Sequence, residues 1–413
     1  MTQNTPRQET VTDLIHHAYA PPAGFVAPQP AVHKASTVIF PNVAAMRTRE
    51  WKDKTGYTYG LHGTPTSYVL EERIATLEGG LQCLLVPSGL AAIANVSLSL
   101  LTQGDEVLIP DNAYGPNKAL AEVELKHYGI SHRYYDPLDP ADLAAKISPA
   151  TRVVWLEAPG SVTMEFPNLP QLARICRERK VISVLDNTWG AGLAFQPFDL
   201  LRDGGSLAVD VSVHALTKYP SGGGDVLMGA ITTRDESLHL KMKLTHMRVG
   251  FGVGMNDVEA VLRALPSMAL RYRAHDVVAR ELAQWMGQHS AVVQVLHPAL
   301  AGAPGHEHWK ALCCTGAQPD GLAAGLFSVV IDSRFTQAQV DRFCDSLKLF
   351  KLGYSWGGPI SLVVPYELPT MRSLPQTQVQ AGTVVRFSIG LEAAGDLQAD
   401  LAQALAAAFD GDA

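Results

Sequence analysis

The feature that most restricts what this chain can become is an alternation. Between about residue 67 and residue 232, short apolar runs rich in β-branched residues take turns with segments of helical spacing. Strand-like runs fall at 84–86, 106–109, 152–156, 181–185, 211–216 and 227–232. Helical segments fall at 67–77, where Leu70, Ile74 and Leu77 share one face, and at 91–101 and 169–179. Apolar strands separated by amphipathic helices predict an α/β domain, a mostly parallel sheet covered on both sides. After Pro266 the alternation stops. A long helix at 268–286 leads into strands at 326–331, 361–364 and 384–389, with helices at 337–347 and 397–409. That pattern predicts a smaller α+β lobe. Residues 1 to about 60 carry proline, glycine and isolated aromatics without periodicity, and cannot bury much apolar surface alone. The expected divisions are 1–62, 63–265 and 266–413.

In open α/β folds the chemistry collects at the carboxyl ends of the strands, so the residues there come next. The run Val211-Ser-Val-His-Ala-Leu-Thr-Lys218 ends in a primary amine, followed by Gly222, Gly223 and Gly224. A lysine on a loop is by default a solvated charge, and its company decides otherwise. Val181-Ile-Ser-Val-Leu-Asp186 ends in a carboxylate, which is costly to bury without a partner. Leu84-Leu-Val-Pro-Ser88-Gly89-Leu90 reads as a strand, a tight turn and a helix start, whose free amides suit a phosphate. An amine, a carboxylate and an anion cradle on one face are what pyridoxal phosphate (PLP) requires.

With these residues in view the chain resembles the Cys/Met-metabolism family of PLP-dependent enzymes, and within it the cystathionine β-lyase branch. The resemblance rests on Tyr59-Gly-Leu-His-Gly63, Leu77-Glu-Gly-Gly80, Pro87-Ser-Gly89, Ala113-Tyr-Gly115, Leu185-Asp-Asn-Thr188, Leu216-Thr-Lys-Tyr219, Tyr354-Ser-Trp-Gly-Gly358 and Arg386-Phe-Ser-Ile-Gly-Leu-Glu392. It implies the fold type I transferase architecture, with a seven-stranded sheet, and a homotetramer built as a dimer of dimers. The 1–62 arm would reach a neighbouring subunit.

The resemblance also implies roles. Lys218 would form the imine to the cofactor and later take the α-proton. Asp186 would hold the pyridine nitrogen, Tyr114 would stack on the ring, and Gly89, Leu90 and Thr217 would bind the phosphate. Tyr59 would reach the phosphate and active site of the adjacent subunit. Arg386 would grip the substrate carboxylate, with Ser355 and Trp356 beside it. A bulky indole there goes with the β-lyase branch. The expected reaction is β-elimination of L-cystathionine and related cysteine thioethers to thiol, pyruvate and ammonia. The alternatives are a γ-acting relative (methionine γ-lyase or O-acylhomoserine sulfhydrylase), a non-catalytic PLP-binding regulator, and a nucleotide module using only the Gly89 helix start.

Three positions depart from the family pattern. Leu61, with His62 next to it, stands where an arginine is usual, so either His62 or another basic group substitutes or the cofactor is held more weakly. Ala215 stands where many members have serine, and Ile360 replaces a glutamate expected to meet the distal end of the substrate. His306-Glu307-His308 lacks further ligands nearby and reads as a structural loop, with no metal.

A net charge of −7 argues against nucleic acid or an anionic membrane as partner. Five cysteines, an odd number, read as reduced thiols. The amino terminus has no signal-peptide core, and no run reaches the roughly 18 apolar residues of a membrane span. A cytoplasmic enzyme acting on a small molecule is expected.

Overall fold

The computed structural model describes residues 10–16, 23–25, 27–48, 50–52, 54–316, 318–375 and 377–409. The stretch 1–9, including the amino terminus read above for a signal, lies outside the described residues. Seven strands form the larger sheet: β1 (Gln82–Val86), β2 (Glu106–Pro110), β3 (Ser131–Tyr135), β4 (Thr151–Glu157), β5 (Ile182–Asp186), β6 (Val211–Ala215) and β7 (Gly229–Thr233). Their order is β1-β7-β6-β5-β4-β2-β3. β7 runs antiparallel to both β1 and β6, and the remaining pairs are parallel.

Alternation along each strand feeds two cores, one on each face. Val107, Val153, Trp155, Val184 and Val213 face one side, and Leu108, Val154, Leu156 and Leu185 the other. Both faces being dry is why these strands read as continuous apolar runs. β3 escaped the sequence reading because it is the sheet edge. Of its five residues Tyr135 alone is buried, and Arg133 pairs with Glu106 (Nε to Oε2, 2.6 Å) where the solvent begins.

Helices begin where their caps lie. Thr64 and Ser67 form a capping box ahead of the helix Pro65–Glu78, and Ser88 caps the helix Gly89–Leu100 by accepting from Ala91 N–H. Each therefore starts two residues before the apolar periodicity does.

The second sheet joins β8 (Val292–Leu296), β9 (Leu326–Asp332), β10 (Lys351–Leu352), β11 (Leu362–Tyr366) and β12 (Gly382–Ser388) in the order β10-β11-β12-β9-β8. It is antiparallel apart from the β10/β11 pair. Phe327 and Phe387 pack beneath it with Phe343 of the helix Gln337–Ser346, against the helices Met268–Met286 and Ala394–Phe409. Residues 306–308 are a correction: they open the helix His306–Cys313 instead of forming a loop. His306 Nδ1 lies 2.9 Å from Pro298 O, and no group of potential metal ligands occurs among the described residues. The helix Thr10–Ile15 buries Leu14 in the main core, so part of the arm docks on its own chain. Further along, Phe25 and Ile39 stay exposed. No helix among the described residues is long and apolar enough to cross a membrane.

Candidate active site

The parallel strands of the larger sheet end at one edge, and there the chain gathers its reactive side chains. Ser88 and Gly89 follow β1, Tyr114 follows β2, Glu157 ends β4, Asp186 ends β5 and Lys218 follows β6. All of them wall one cavity of about 460 Å³, which Arg386 of β12 and Trp356 close from the second lobe.

Lys218 Nζ donates to Ser355 Oγ at 2.9 Å and lies 5.3 Å from the centre of the Trp356 ring. Burial, and then the nearby Arg386 guanidinium, bring its pKa down to about 8. The physical consequence is a lysine with a sizeable fraction of free amine near neutral pH, as a nucleophile or base must have. The turn behind it is tight: Gly222 has φ +65°, and a Cβ there would strike Arg271, which donates Nη1–H to Tyr219 O at 2.8 Å.

Asp186 and Glu157 are register partners on adjacent parallel strands, so their carboxyls stand side by side. Burial raises both, and the neighbouring Asp186 charge helps push Glu157 up to about 8. Asp186 has the stronger claim to the negative charge. Its Oδ1 accepts from Thr188 N–H at 3.0 Å, and His214 adds favourable potential.

At the start of the helix Gly89–Leu100 the first amides have no acceptor within the helix, and both Gly89 and Leu90 line the cavity. Gly89 has no room for a side chain, because a Cβ would lie 2.7 Å from Ala215 Cβ. Thr217 also lines the cavity, although its hydroxyl donates to Met228 O (3.2 Å) and accepts from Met228 N–H (3.1 Å). Arg386 is 6% exposed. One terminal nitrogen donates to the carbonyls of Tyr354 and Ser355 at 3.2 and 3.3 Å, while its buried Nε has no partner among the described residues. A guanidinium on a cavity wall is a place for an anion.

The sequence profile of the Cys/Met metabolism PLP-dependent enzymes matches residues 11–406. The chain belongs to this family. It is 38% identical over 378 residues to the cystathionine beta-lyase of Bordetella avium, covering 90% of each chain. It is 33% identical over 387 residues to the L-alanine/L-glutamate racemase of Wolbachia pipientis wMel, covering 91% of this chain and 92% of that one. The crystal structure of metB from Corynebacterium glutamicum superposes with a TM-score of 0.83 at 26% identity, over 96% of this chain and 98% of that one. The fold is therefore the fold type I PLP-dependent architecture expected from the motifs, and the cofactor of the family is pyridoxal phosphate. The residues present fit that cofactor: a lysine with a lowered pKa, a buried carboxyl and two open amides share one volume.

Not every residue expected from the family meets the others in a single chain. Tyr59 is 47% exposed, precedes a short turn at Gly60–His62 and does not line the cavity. His62, next to the departing Leu61, is tied within the arm: its Nδ1 is 2.7 Å from Thr58 Oγ1 and its ring stacks on Trp51 at 4.6 Å. Ile360 is 55% exposed and also lies outside the cavity wall.

The sequence reading missed Glu157 and Ser161. Glu157 accepts from Tyr114 N–H at 2.8 Å and from Ser161 Oγ–H at 2.7 Å. Its signal was available, since Trp155-Leu156-Glu157 ends an apolar strand in a carboxylate just as Leu185-Asp186 does.

Proposed function

We propose that this chain cleaves the Cβ–S bond of cysteine thioethers such as L-cystathionine, releasing a thiol, pyruvate and ammonia. The observation that carries the reading is the convergence of Lys218, Asp186 and Arg386 on one cavity closed by Trp356. The cystathionine beta-lyase named in Bordetella avium supports it. The cofactor would be held by Lys218 through Nζ, by Asp186 at its ring nitrogen and by the amides of Gly89 and Leu90 at its phosphate, with Tyr114 against its ring. When bound, it supplies an electron sink conjugated to the substrate α-carbon.

The chain's own groups do the rest. Arg386 orients the substrate carboxylate with the guanidinium fork it brings to the cavity wall. Lys218 would take the substrate α-proton at Nζ, a transfer that a pKa near 8 permits in both directions. Thiolate leaves from Cβ and is protonated by Lys218 or by Tyr114. The enamine product hydrolyses in water to pyruvate and ammonia. The Trp356 indole, 5.6 Å from the Tyr219 ring, narrows the cavity and restricts the side-chain poses open to the substrate.

The second copy that the arm implies would bring Tyr59 to the phosphate side. The exposed apolar residues of the arm support assembly as a dimer of dimers, which light scattering checks.

One experiment separates the chemistries. Purified protein is supplied with PLP and with L-cystathionine, S-alkyl-L-cysteines, L-methionine and L-alanine in turn. Pyruvate with free thiol is the expected product. 2-Oxobutyrate would assign γ-elimination instead. D-alanine without pyruvate would assign the racemase activity named for the Wolbachia relative, which two proton-bearing groups on the cavity wall, Lys218 and Tyr114, could support.

A further inference from the structure

Tyr114 is held through its backbone. It precedes the short helix Gly115–Leu120 without a side-chain cap, its carbonyl accepts from Asn117 N–H at 2.9 Å, and its ring is 42% exposed at the cavity. Among the described residues the one side chain that hydrogen-bonds it is Glu157, whose Oε2 accepts Tyr114 N–H at 2.8 Å. The other oxygen of the same carboxyl accepts Ser161 Oγ–H at 2.7 Å, from the loop that follows β4. One carboxyl thus joins a strand end, a helix start and a loop, all bordering the cavity.

We propose that Glu157 is a positioning residue for the reaction: by clamping the Tyr114 amide and the Ser161 hydroxyl it sets the Tyr114 ring against the cofactor that Asp186 holds. This rests on the reading of Tyr114 given above. A carboxyl buried at a strand end is costly unless its oxygens are satisfied, and here both are. The raised pKa fits the same role. A Glu157 that keeps its proton leaves the negative charge beside the ring nitrogen to Asp186. When protonated, the carboxyl keeps one oxygen to accept Tyr114 N–H and its O–H donates to Ser161 Oγ, which then turns from donor to acceptor; a glutamine amide offers the same pattern. Glutamine is therefore the conservative replacement and alanine the disruptive one.

The test uses PLP-loaded wild type, E157A, E157Q, E157D, Y114A and E157A/Y114A. Two readouts are taken: visible-region circular dichroism of the bound cofactor, which reports the asymmetry of its surroundings, and kcat and KM on the best thioether substrate. E157A is expected to lower kcat about tenfold with KM within about twofold, and to reduce the dichroic band nearly as far as Y114A does. E157Q recovers most of both losses. The double variant is expected to be no worse than Y114A, because residues acting through one another are non-additive. E157D withdraws the carboxyl by one methylene and carries a smaller loss of the same sign, so the proposal stays testable if E157A does not fold.

A changed Y114A spectrum beside wild-type spectra and rates in E157A and E157D would overturn the proposal alone. So would losses that multiply in the double variant. A Y114A protein with the wild-type dichroic band would overturn the reading of Tyr114, and the proposal with it.

Discussion

The two sheets serve the same cavity in different ways. The parallel sheet delivers groups from its edge: β1, β2, β4, β5 and β6 all end on the same side, so five connections open onto one volume. The antiparallel sheet has no such edge, because neighbouring strands end on opposite sides. It contributes Arg386 from within β12, between its register partners Val364 and Ser328. The parallel edge can therefore assemble a reaction centre, and the antiparallel sheet supplies an address for the substrate. That division of labour makes distinct kinetic demands on each.

Replacing Lys218 by alanine is expected to have the largest effect, a fall in kcat of about four orders of magnitude, because both the nucleophile and the base are lost. Residual turnover within tenfold of wild type would break the assignment of chemistry to the parallel edge. Arg386→Lys comes next. A planar fork becomes a point charge, so KM for the thioether is expected to rise about thirtyfold while kcat changes about threefold or less. Steady-state kinetics measure both, and a loss confined to kcat would show that β12 takes part in the chemistry.

A smaller effect appears in the pH dependence of the cofactor-free protein. Lys218 is charged below its pKa of about 8 and neutral above it. Its reaction with added PLP, followed by absorbance, should rise about fivefold from about pH 7 to about pH 8 and level off above about pH 9. An ordinary lysine would keep rising about tenfold per pH unit through that range. The smallest effect sharpens the anion cradle. Ala215→Ser places a hydroxyl beside Gly89 and is expected to tighten PLP binding about threefold, the worth of one modest hydrogen bond. Equilibrium titration of the cofactor-free protein measures it.

Much of this was legible in the sequence, and for a physical reason. A buried parallel strand is apolar throughout, so a charged residue at its end stands out, and Lys218 and Asp186 were found that way. Glu157 carried the same mark and was passed over. Arg386 had no such mark of its own, because an arginine inside an antiparallel strand looks like an edge salt bridge until the family pattern is added. Its unpaired Nε became visible only with the packing in place. The contact between Lys218 and Ser355 spans 137 residues and leaves no local trace. β3 was hidden because an edge strand need bury only one of its residues, and Tyr59 was placed by likeness alone, since within one chain it stands apart from the cavity.

The most direct test of the account is to load the protein with PLP, fix any imine with borohydride and map the adduct by peptide mass spectrometry. A pyridoxyl group on the peptide containing Lys218, absent from K218A, is the expected result. A folded protein that carries the label on another lysine, or none at all, would contradict it.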